Sequence, residues 1–178
     1  IHPLPEIDWS SQIGRKDQRQ MENWQRLGVF AAGLALDDAG LKDDAEACGT
    51  MDMIVAAGGG YRFIGMGREA WPFARWLNAN GYTAYVLSYR LPGEKWQAGR
   101  LAPLQDAQRA IRMVRAMENK VHLLGFSAGG HLLGMAAARP DFVTYSPQDS
   151  LDDIRPTADS VGLIYPVITL EAPYQHTR

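Results

Sequence analysis

A serine lies between two nearby glycines in the segment Gly125-Phe126-Ser127-Ala128-Gly129, after a short apolar run and before a helix-like stretch. A sharp turn from strand to helix would strain the serine backbone, and neighbours without side chains would avoid a clash there. The Ser127 hydroxyl would stand over a helix N-terminus, where partial positive charge and the N–H of Ala128 favour an oxyanion. We therefore predict that Ser127 is an acyl-transfer nucleophile. The alternative is that the small residues only let a helix pack closely on a sheet.

A triple glycine, Gly58-Gly59-Gly60, follows an earlier apolar run. In a sheet with such a serine turn, the loop after this strand supplies the second backbone N–H of the oxyanion hole. Gly59 and Gly60 are therefore the candidate donors beside Ala128. A phosphate loop is the alternative, but the segment lacks the Lys-Ser/Thr pair of a Walker loop and a clean G-x-G-x-x-G leading into a helix.

Three further side chains are candidates for the lining of a substrate pocket. Tyr61 and Arg62 follow the glycines directly, and they would either contact substrate or brace the turn. Trp96 lies in the predicted loop GEKWQAGR, and loops on such sheets carry function.

The elements that must position these residues alternate between short apolar strands and helices from about residue 50 onward. Strands are predicted at 51–57, 82–89, 121–126 and 160–167. Two amphipathic helices are predicted by apolar residues at helical spacing, Ala70, Phe73, Ala74 and Leu77 in one and Leu104, Ala107, Ile111 and Val114 in the other. This alternation predicts a mostly parallel, doubly wound α/β sheet with helices on both faces.

Two segments depart from that alternation. Residues 14–40 show one long helix pattern that ends at Gly40, with an apolar face formed by Trp24, Leu27, Ala31 and Leu34. Residues 140–159 are rich in proline and aspartate without a sustained period, which predicts a surface connection. We expect an N-terminal helical segment at 1–50 and an α/β domain at 51–178.

Residues 58–178 resemble the α/β-hydrolase superfamily, particularly its small carbohydrate-esterase members related to acetyl-xylan esterases and dienelactone hydrolases. The resemblance is carried, in the family's order, by GGGYRF, WLNANGYTAYVLSYRLP, PLQDAQRAIRMVR, GFSAGGHL and LIYPVITLEAPYQH. It implies a serine carboxylesterase that removes acetyl or other short acyl groups from sugars or small alcohols through an acyl-enzyme, without a metal or organic cofactor. It assigns the nucleophile to Ser127 and the oxyanion hole to the N–H groups of Ala128 and of Gly60 or Gly59.

The acid and base of a serine triad follow the nucleophile in this fold, in the order acid and then histidine. Only His131 and His176 follow Ser127. We expect His131 to pack against neighbouring loops, and His176 lies near the last residue. The acids between them fall mostly in the predicted surface loop, namely Asp141, Asp149, Asp152, Asp153 and Asp159.

We therefore expect the triad partners, and the C-terminal strands of the fold, to be missing from these residues. The chain would then be either a piece of a longer enzyme or a truncated product with little hydrolytic power, because the triad residues act as a unit. The alternative function is an inactive hydrolase-like module for binding or assembly.

Residues 7–60 resemble the N-terminal part of a β-ketoacyl synthase of fatty-acid synthesis, in IDWSSQIGRKDQRQMENWQRLGVFAAGLALDDAG and MDMIVAAGGG. Synthases use a cysteine and two histidines far downstream, and the polar surroundings of Cys48 do not match that cysteine. Condensing activity is therefore not expected. The resemblance instead suggests a chimeric chain in which a borrowed strand at 51–57 leads into the oxyanion loop.

The amino-acid composition limits the classes of molecule that the protein is expected to bind. The 178 residues are 46% hydrophobic and 21% charged with a net charge of −2, which gives no basic footprint for nucleic acid. A single cysteine excludes an internal disulfide, and no apolar run approaches the roughly 18 residues of a membrane span. We expect a small-molecule ester as partner, with no cofactor, metal, nucleic acid or membrane. The oligomeric state and the compartment stay open, with a slight preference for the cytoplasm.

Overall fold

The computed structural model describes residues 6–19, the single positions 26, 30, 34, 37, 38 and 40, and residues 51–171. The chain divides into two compact units, Ile1–Cys48 and Gly49–Arg178.

The first unit begins with a short 3-10 turn, Trp9–Ser11, followed by helix α1 (Arg15–Gln18). Asp8 caps the turn by accepting the N–H of Ser10 at 3.0 Å. The Trp9 ring packs edge-on against Phe30, with 5.6 Å between the ring centroids.

The long helix predicted over residues 14–40 is interrupted. Helix α1 ends at Gln18, whose carbonyl accepts from the Arg26 guanidinium at 2.6 Å. Gly40 has a φ of +67°, a left-handed conformation typical of the predicted C-cap. Leu34, placed by the pattern on the apolar face, is 47% exposed. The other predicted residues of that face, Trp24, Leu27 and Ala31, lie outside the described residues, as does Cys48.

The second unit contains a four-stranded parallel sheet of order β2-β1-β3-β4. Its strands are β1 (Asp52–Ala56), β2 (Thr83–Val86), β3 (Val121–Phe126) and β4 (Ser160–Ile164). The register aligns Ile54 with Tyr85 and with Leu123. The central strand β3 is buried at every residue.

Strands β2 and β4 end three residues earlier than the sequence predicts, and β1 is shorter by one residue at each end. Leu87 and Tyr89 remain buried after β2 has ended, and the N–H of Leu87 still donates to the carbonyl of Val55 in β1 at 2.9 Å. The apolar run at 82–89 therefore reflects burial that continues past the end of the strand. Tyr165 has a φ of +37°, which turns the chain away from the sheet directly after β4.

Helices α2 (Trp71–Ala79), α3 (Ala102–Met117) and α4 (Ala128–Ala138) each lie between successive strands. The predicted apolar faces are confirmed, since the residues named for them are all buried, namely Ala70, Phe73, Ala74, Leu77, Leu104, Ala107, Ile111 and Val114. Right-handed crossovers put α2 on one face of the sheet and α3 and α4 on the other. The predicted doubly wound α/β sheet is thereby confirmed. Among the described helices, none has the length and apolarity that a membrane crossing requires.

The segment 140–159 is tied to α3 by arginines. Arg109 donates to Asp149 at 2.8 Å and to Asp152 at 3.1 Å, while Arg115 donates to Asp159 at 2.6 Å. The prediction of a solvated acidic loop is wrong for Asp152, whose side chain is only 2% exposed. These ion pairs join residues about 40 positions apart in the sequence. The composition of the segment alone does not reveal such long-range pairing.

Candidate active site

Ser127 occupies the sharp turn between β3 and α4. Its φ of +49° and ψ of −115° lie in a region that side-chain-bearing residues rarely adopt. Three backbone hydrogen bonds hold it there, because its N–H donates to Ile164 at 3.0 Å and its carbonyl accepts from His131 at 3.0 Å and from Val167 at 3.1 Å. Such strain persists only where surrounding contacts over-determine it, and it concentrates at functional sites. The residue is partly exposed.

Close backbone contacts explain why the motif has glycine at both of these positions. A Cβ on Gly129 would lie 2.3 Å from the carbonyl oxygen of Ala56, and one on Gly125 would lie 2.6 Å from the carbonyl oxygen of Gly129. The first turn of α4 therefore packs backbone to backbone against the end of β1. The sequence analysis gives two explanations for these small residues, a strained serine turn and a helix that packs closely on the sheet. Both features are present in the structure.

The triple glycine lies directly beside this turn. A Cβ on Gly58 would be 2.7 Å from the Cβ of Ser127. Gly59 and Gly60 adopt φ values of +134° and +60°. Within the described ranges, the N–H groups of Gly59, Gly60 and Ala128 donate to no protein acceptor. The structure thus brings together the serine and the segments that carry all three candidate donors.

Glu69, which the sequence analysis did not identify, joins this loop to the end of β4. Its carboxylate accepts the N–H of Gly58 and, at 3.2 Å, the hydroxyl of Tyr165. The position that a Gly58 Cβ would take is 3.1 Å from Glu69 Oε2. Burial raises the pKa of Glu69, and the bonds from Gly58 and Tyr165 oppose that rise. A glutamate beside a helix start is ordinarily solvent-exposed, so no local signal marks it.

Tyr61 and His131 form a second polar contact near the loop. The Tyr61 hydroxyl and His131 Nδ1 share a hydrogen bond of 2.8 Å, and the two rings meet edge to face. Burial lowers the pKa of His131 and raises the pKa of Tyr61, so both are neutral near pH 7. The expected packing of His131 against a neighbouring loop is confirmed.

A cavity of about 510 Å³ includes Gly60 in its lining. Its lining is formed by Gly60, Tyr61, Arg62, Pro92, Gly93, Arg100, Leu101, Pro103, Leu104, His131, Leu132, Met135, Phe142 and Leu170. The cavity includes the candidates Tyr61 and Arg62, while Ser127 itself lies outside the lining.

Trp96 is not among the residues that line this cavity, and its contact with substrate stays a prediction. Its indole donates to Glu94 at 2.7 Å, and the guanidinium of Arg90 lies 5.5 Å from its ring. These two contacts hold the half-exposed ring on the surface.

The described residues place no acid or base in hydrogen-bond contact with Ser127 Oγ. Four of the five acids suggested by the sequence bind arginines, because Asp141 pairs with Arg155 while Asp149, Asp152 and Asp159 bind arginines of α3. The fifth, Asp153, is exposed. Hydrogen bonds from Tyr145 and Gln148 lower the pKa of Asp152 to about 2. His176 lies outside the described residues.

Comparison with known proteins relates this fold to esterases. The chain is 32% identical over 126 residues to an acetylxylan esterase of Xylanibacter ruminicola, which covers 67% of this chain and 23% of that protein. The acetyl ester-xyloside bifunctional hydrolase of Caldicellulosiruptor lactoaceticus superposes with a TM-score of 0.58 at 37% identity, over 67% of this chain and 44% of that one. MGS-M1, an α/β hydrolase from a deep-sea metagenome library, superposes with a TM-score of 0.54 at 28% identity, over 74% of this chain and 50% of that one.

The chain thus spans about a quarter of the curated relative and about half of these solved structures. No family model matches it. The resemblance of residues 7–60 to a β-ketoacyl synthase stays a prediction. Because the likeness to these two solved hydrolases covers 67% and 74% of this chain at 37% and 28% identity, the chain has the α/β-hydrolase fold of esterase-like proteins.

Proposed function

We propose that the site around Ser127 is that of a serine carboxylesterase that hydrolyses short-chain acyl esters, with acetylated carbohydrates as the substrate class. The observation that carries the proposal is the backbone of Ser127, held at φ +49° next to the glycine loop that packs on it. The N–H groups of Ala128, Gly59 and Gly60 donate to no acceptor in the part of the chain that the structure describes. An arrangement of this kind serves to place a hydroxyl and its oxyanion donors around one carbonyl group. The acetylxylan esterase relative supports the choice of substrate class.

In the proposed reaction, Ser127 Oγ attacks the ester carbonyl carbon and gives its proton to a general base. The negative charge that develops on the carbonyl oxygen is held by the N–H of Ala128 and by that of Gly59 or Gly60. Collapse of the tetrahedral intermediate releases the alcohol and leaves an acyl group on Ser127. Water then attacks this acyl-enzyme and releases the carboxylic acid. The base must come from outside the described residues, and His176 is the histidine after Ser127 that lies there.

The test is hydrolysis of p-nitrophenyl acetate and of acetylated xylo-oligosaccharides by the parent chain, Ser127→Ala and His176→Ala. We expect Ser127→Ala to lower kcat at least about 1,000-fold, because the nucleophile cannot be replaced. Ser146→Ala, an exposed serine outside the site, is the matched control and should keep the parent rate. Mass spectrometry after a fluorophosphonate probe should find the adduct on Ser127. Equal rates in the parent and in Ser127→Ala would refute the proposal.

One observation favours the second candidate function, an inactive module that associates with a second copy of itself. Strand β4 pairs with β3 on one side only among the described residues, and its neighbourhood exposes Val161, Leu163, Tyr165 and Ile168. Exposed apolar edges of this kind are sites of association. A chain without Ser127-dependent hydrolysis that sediments as a dimer, and as a monomer after Leu163→Lys, would favour this function over the esterase.

A further inference from the structure

The cavity beside Gly60 carries two positively charged side chains and no acidic one. Arg62 and Arg100 both line it, and its lining contains neither aspartate nor glutamate. The remaining lining is largely apolar and includes Leu104 and Met135. A volume of about 510 Å³ falls within the range of sites for small organic ligands.

These two arginines differ from most others in the second unit. Arg90, Arg109, Arg115 and Arg155 are each paired with an aspartate. By contrast, neither Arg62 nor Arg100 has a hydrogen bond or ion pair with any residue that the structure describes. Both residues are exposed, and among the described residues their guanidinium groups have no counter-charge at this one concave site.

The chemistry of this pair selects the ligand. A guanidinium group binds a carboxylate through two parallel N–H bonds, and such charge-assisted bonds are about twice as strong as neutral ones. A carboxylate alone would leave the apolar lining uncovered, whereas a neutral apolar ligand would leave both arginines without an anion. The site therefore fits a molecule that combines a carboxylate with an apolar chain or ring.

We propose that this cavity binds the carboxylate-bearing part of the substrate, so that the preferred ester carries an anionic group in its acyl or alcohol portion. The link to catalysis rests on the proposed function of Ser127. Binding of the anion to the cavity does not depend on that function, because Arg62 and Arg100 can bind an anion without any reaction at the serine.

Calorimetry tests the binding step without any catalysis. The probes are 5-phenylpentanoate and its neutral analogue 5-phenylpentanamide. We expect the carboxylate to bind the parent chain about tenfold more tightly than the amide, and the Arg62→Gln/Arg100→Gln variant to lose that difference.

The matched control is Arg75→Gln/Arg139→Gln, which removes the same charge from two arginines outside the cavity lining and should keep the preference. Circular dichroism shows whether each variant is folded. Equal affinity of the parent for both probes, no binding of either, or an equal loss in the control would overturn the proposal.

Hydrolysis then separates this proposal from the proposed function. The substrates are 4-nitrophenyl hydrogen glutarate and the neutral 4-nitrophenyl pentanoate, and we expect the ratio of their kcat/KM values to fall about tenfold in Arg62→Gln/Arg100→Gln. Ser127-dependent hydrolysis with an unchanged ratio would overturn the cavity proposal and leave the esterase standing. Absence of Ser127-dependent hydrolysis would overturn the esterase, and calorimetry would still decide the cavity.

Discussion

Glu69 shows how one side chain can organise the surroundings of a nucleophile. Its carboxylate connects Gly58, which packs against Ser127, with Tyr165, the residue directly after β4. Burial makes the ionised form costly, as the raised pKa of Glu69 indicates. We infer that its contribution to the site is the acceptor oxygen that holds the loop, rather than the negative charge, which would oppose an oxyanion nearby.

Replacement of Glu69 tests this inference at the scale of one residue. Glu69→Ala removes the acceptor for the Gly58 N–H, and misplacement of donors by about 1 Å costs on the order of 100-fold in rate. We therefore expect the Ser127-dependent kcat of Glu69→Ala to fall about 10- to 100-fold with little change in KM. Glu69→Gln keeps an acceptor oxygen and should stay within about threefold of the parent.

Steady-state kinetics with p-nitrophenyl acetate gives both parameters, and Glu171→Ala, an exposed glutamate, is the control. Amide NMR shifts of Gly59 and Gly60 should move in Glu69→Ala irrespective of activity. Glu69→Gln falling as far as Glu69→Ala would contradict a role based on the acceptor.

The residues of the site divide into those that local sequence can predict and those that it cannot. Ser127, Gly125 and Gly129 act within one turn, so their spacing carries the information. Glu69 and Tyr165 meet across 96 positions of the chain, and no local pattern records that contact. The loop position of Trp96 predicts contact with substrate, but it does not reveal the contacts with Glu94 and Arg90 that hold the ring.

At the scale of elements, the site depends on how closely α4 approaches the sheet. The same helix contains Gly129, whose Cα faces the backbone of β1, and Gly134, which faces only the tip of Leu163. The apolar period predicts that α2 and α3 are helices with buried faces, because burial sets that period. The apolar period does not give the distance between the backbone of a helix and that of the sheet. That distance depends on glycines such as Gly129, which have no side chain to keep the two apart.

Two alanine substitutions in α4 measure that approach. Gly129→Ala would place Cβ 2.3 Å from a backbone oxygen that cannot move aside, and we expect a loss of about 1–3 kcal/mol in the free energy of unfolding. Gly134→Ala would place Cβ 3.3 Å from a flexible methyl group and should be neutral or stabilising by up to about 1 kcal/mol, because alanine favours helix. Urea unfolding followed by circular dichroism compares them. Equal destabilisation by both substitutions would show that helix packing is not the cause.

Across the whole second unit, strand β3 joins the site to the stability of the fold. Ser127 follows its last residue, whereas His122 lies near its first end and is only 9% exposed. His122 Nδ1 shares a hydrogen bond of 2.7 Å with Ser160, and Nε2 has no partner among the described residues. Burial lowers the pKa of His122. The fold therefore favours the neutral ring.

This preference predicts how stability changes with pH. The unfolded chain takes up a proton at His122 near the ordinary pKa of about 6.5, while the folded chain resists until a lower pH, so stability falls as pH decreases from about 7 to 5. In this window each pH unit over which only the unfolded state is protonated costs about 1.4 kcal/mol for each such histidine. His122→Asn can keep the bond to Ser160 without a titrating group, and its stability should fall less steeply.

Chemical unfolding at pH 8, 7, 6 and 5 gives the difference between the two proteins directly. Other titrating groups cancel in that difference, including His131, whose lowered pKa acts in the same direction, and Glu69, whose raised pKa acts in the opposite one. The two curves should run nearly parallel from pH 8 to 7, where His122 is mostly neutral in both states, and separate clearly below pH 6.5. Curves that stay parallel down to pH 5 would mean that the folded protein accommodates a charged His122.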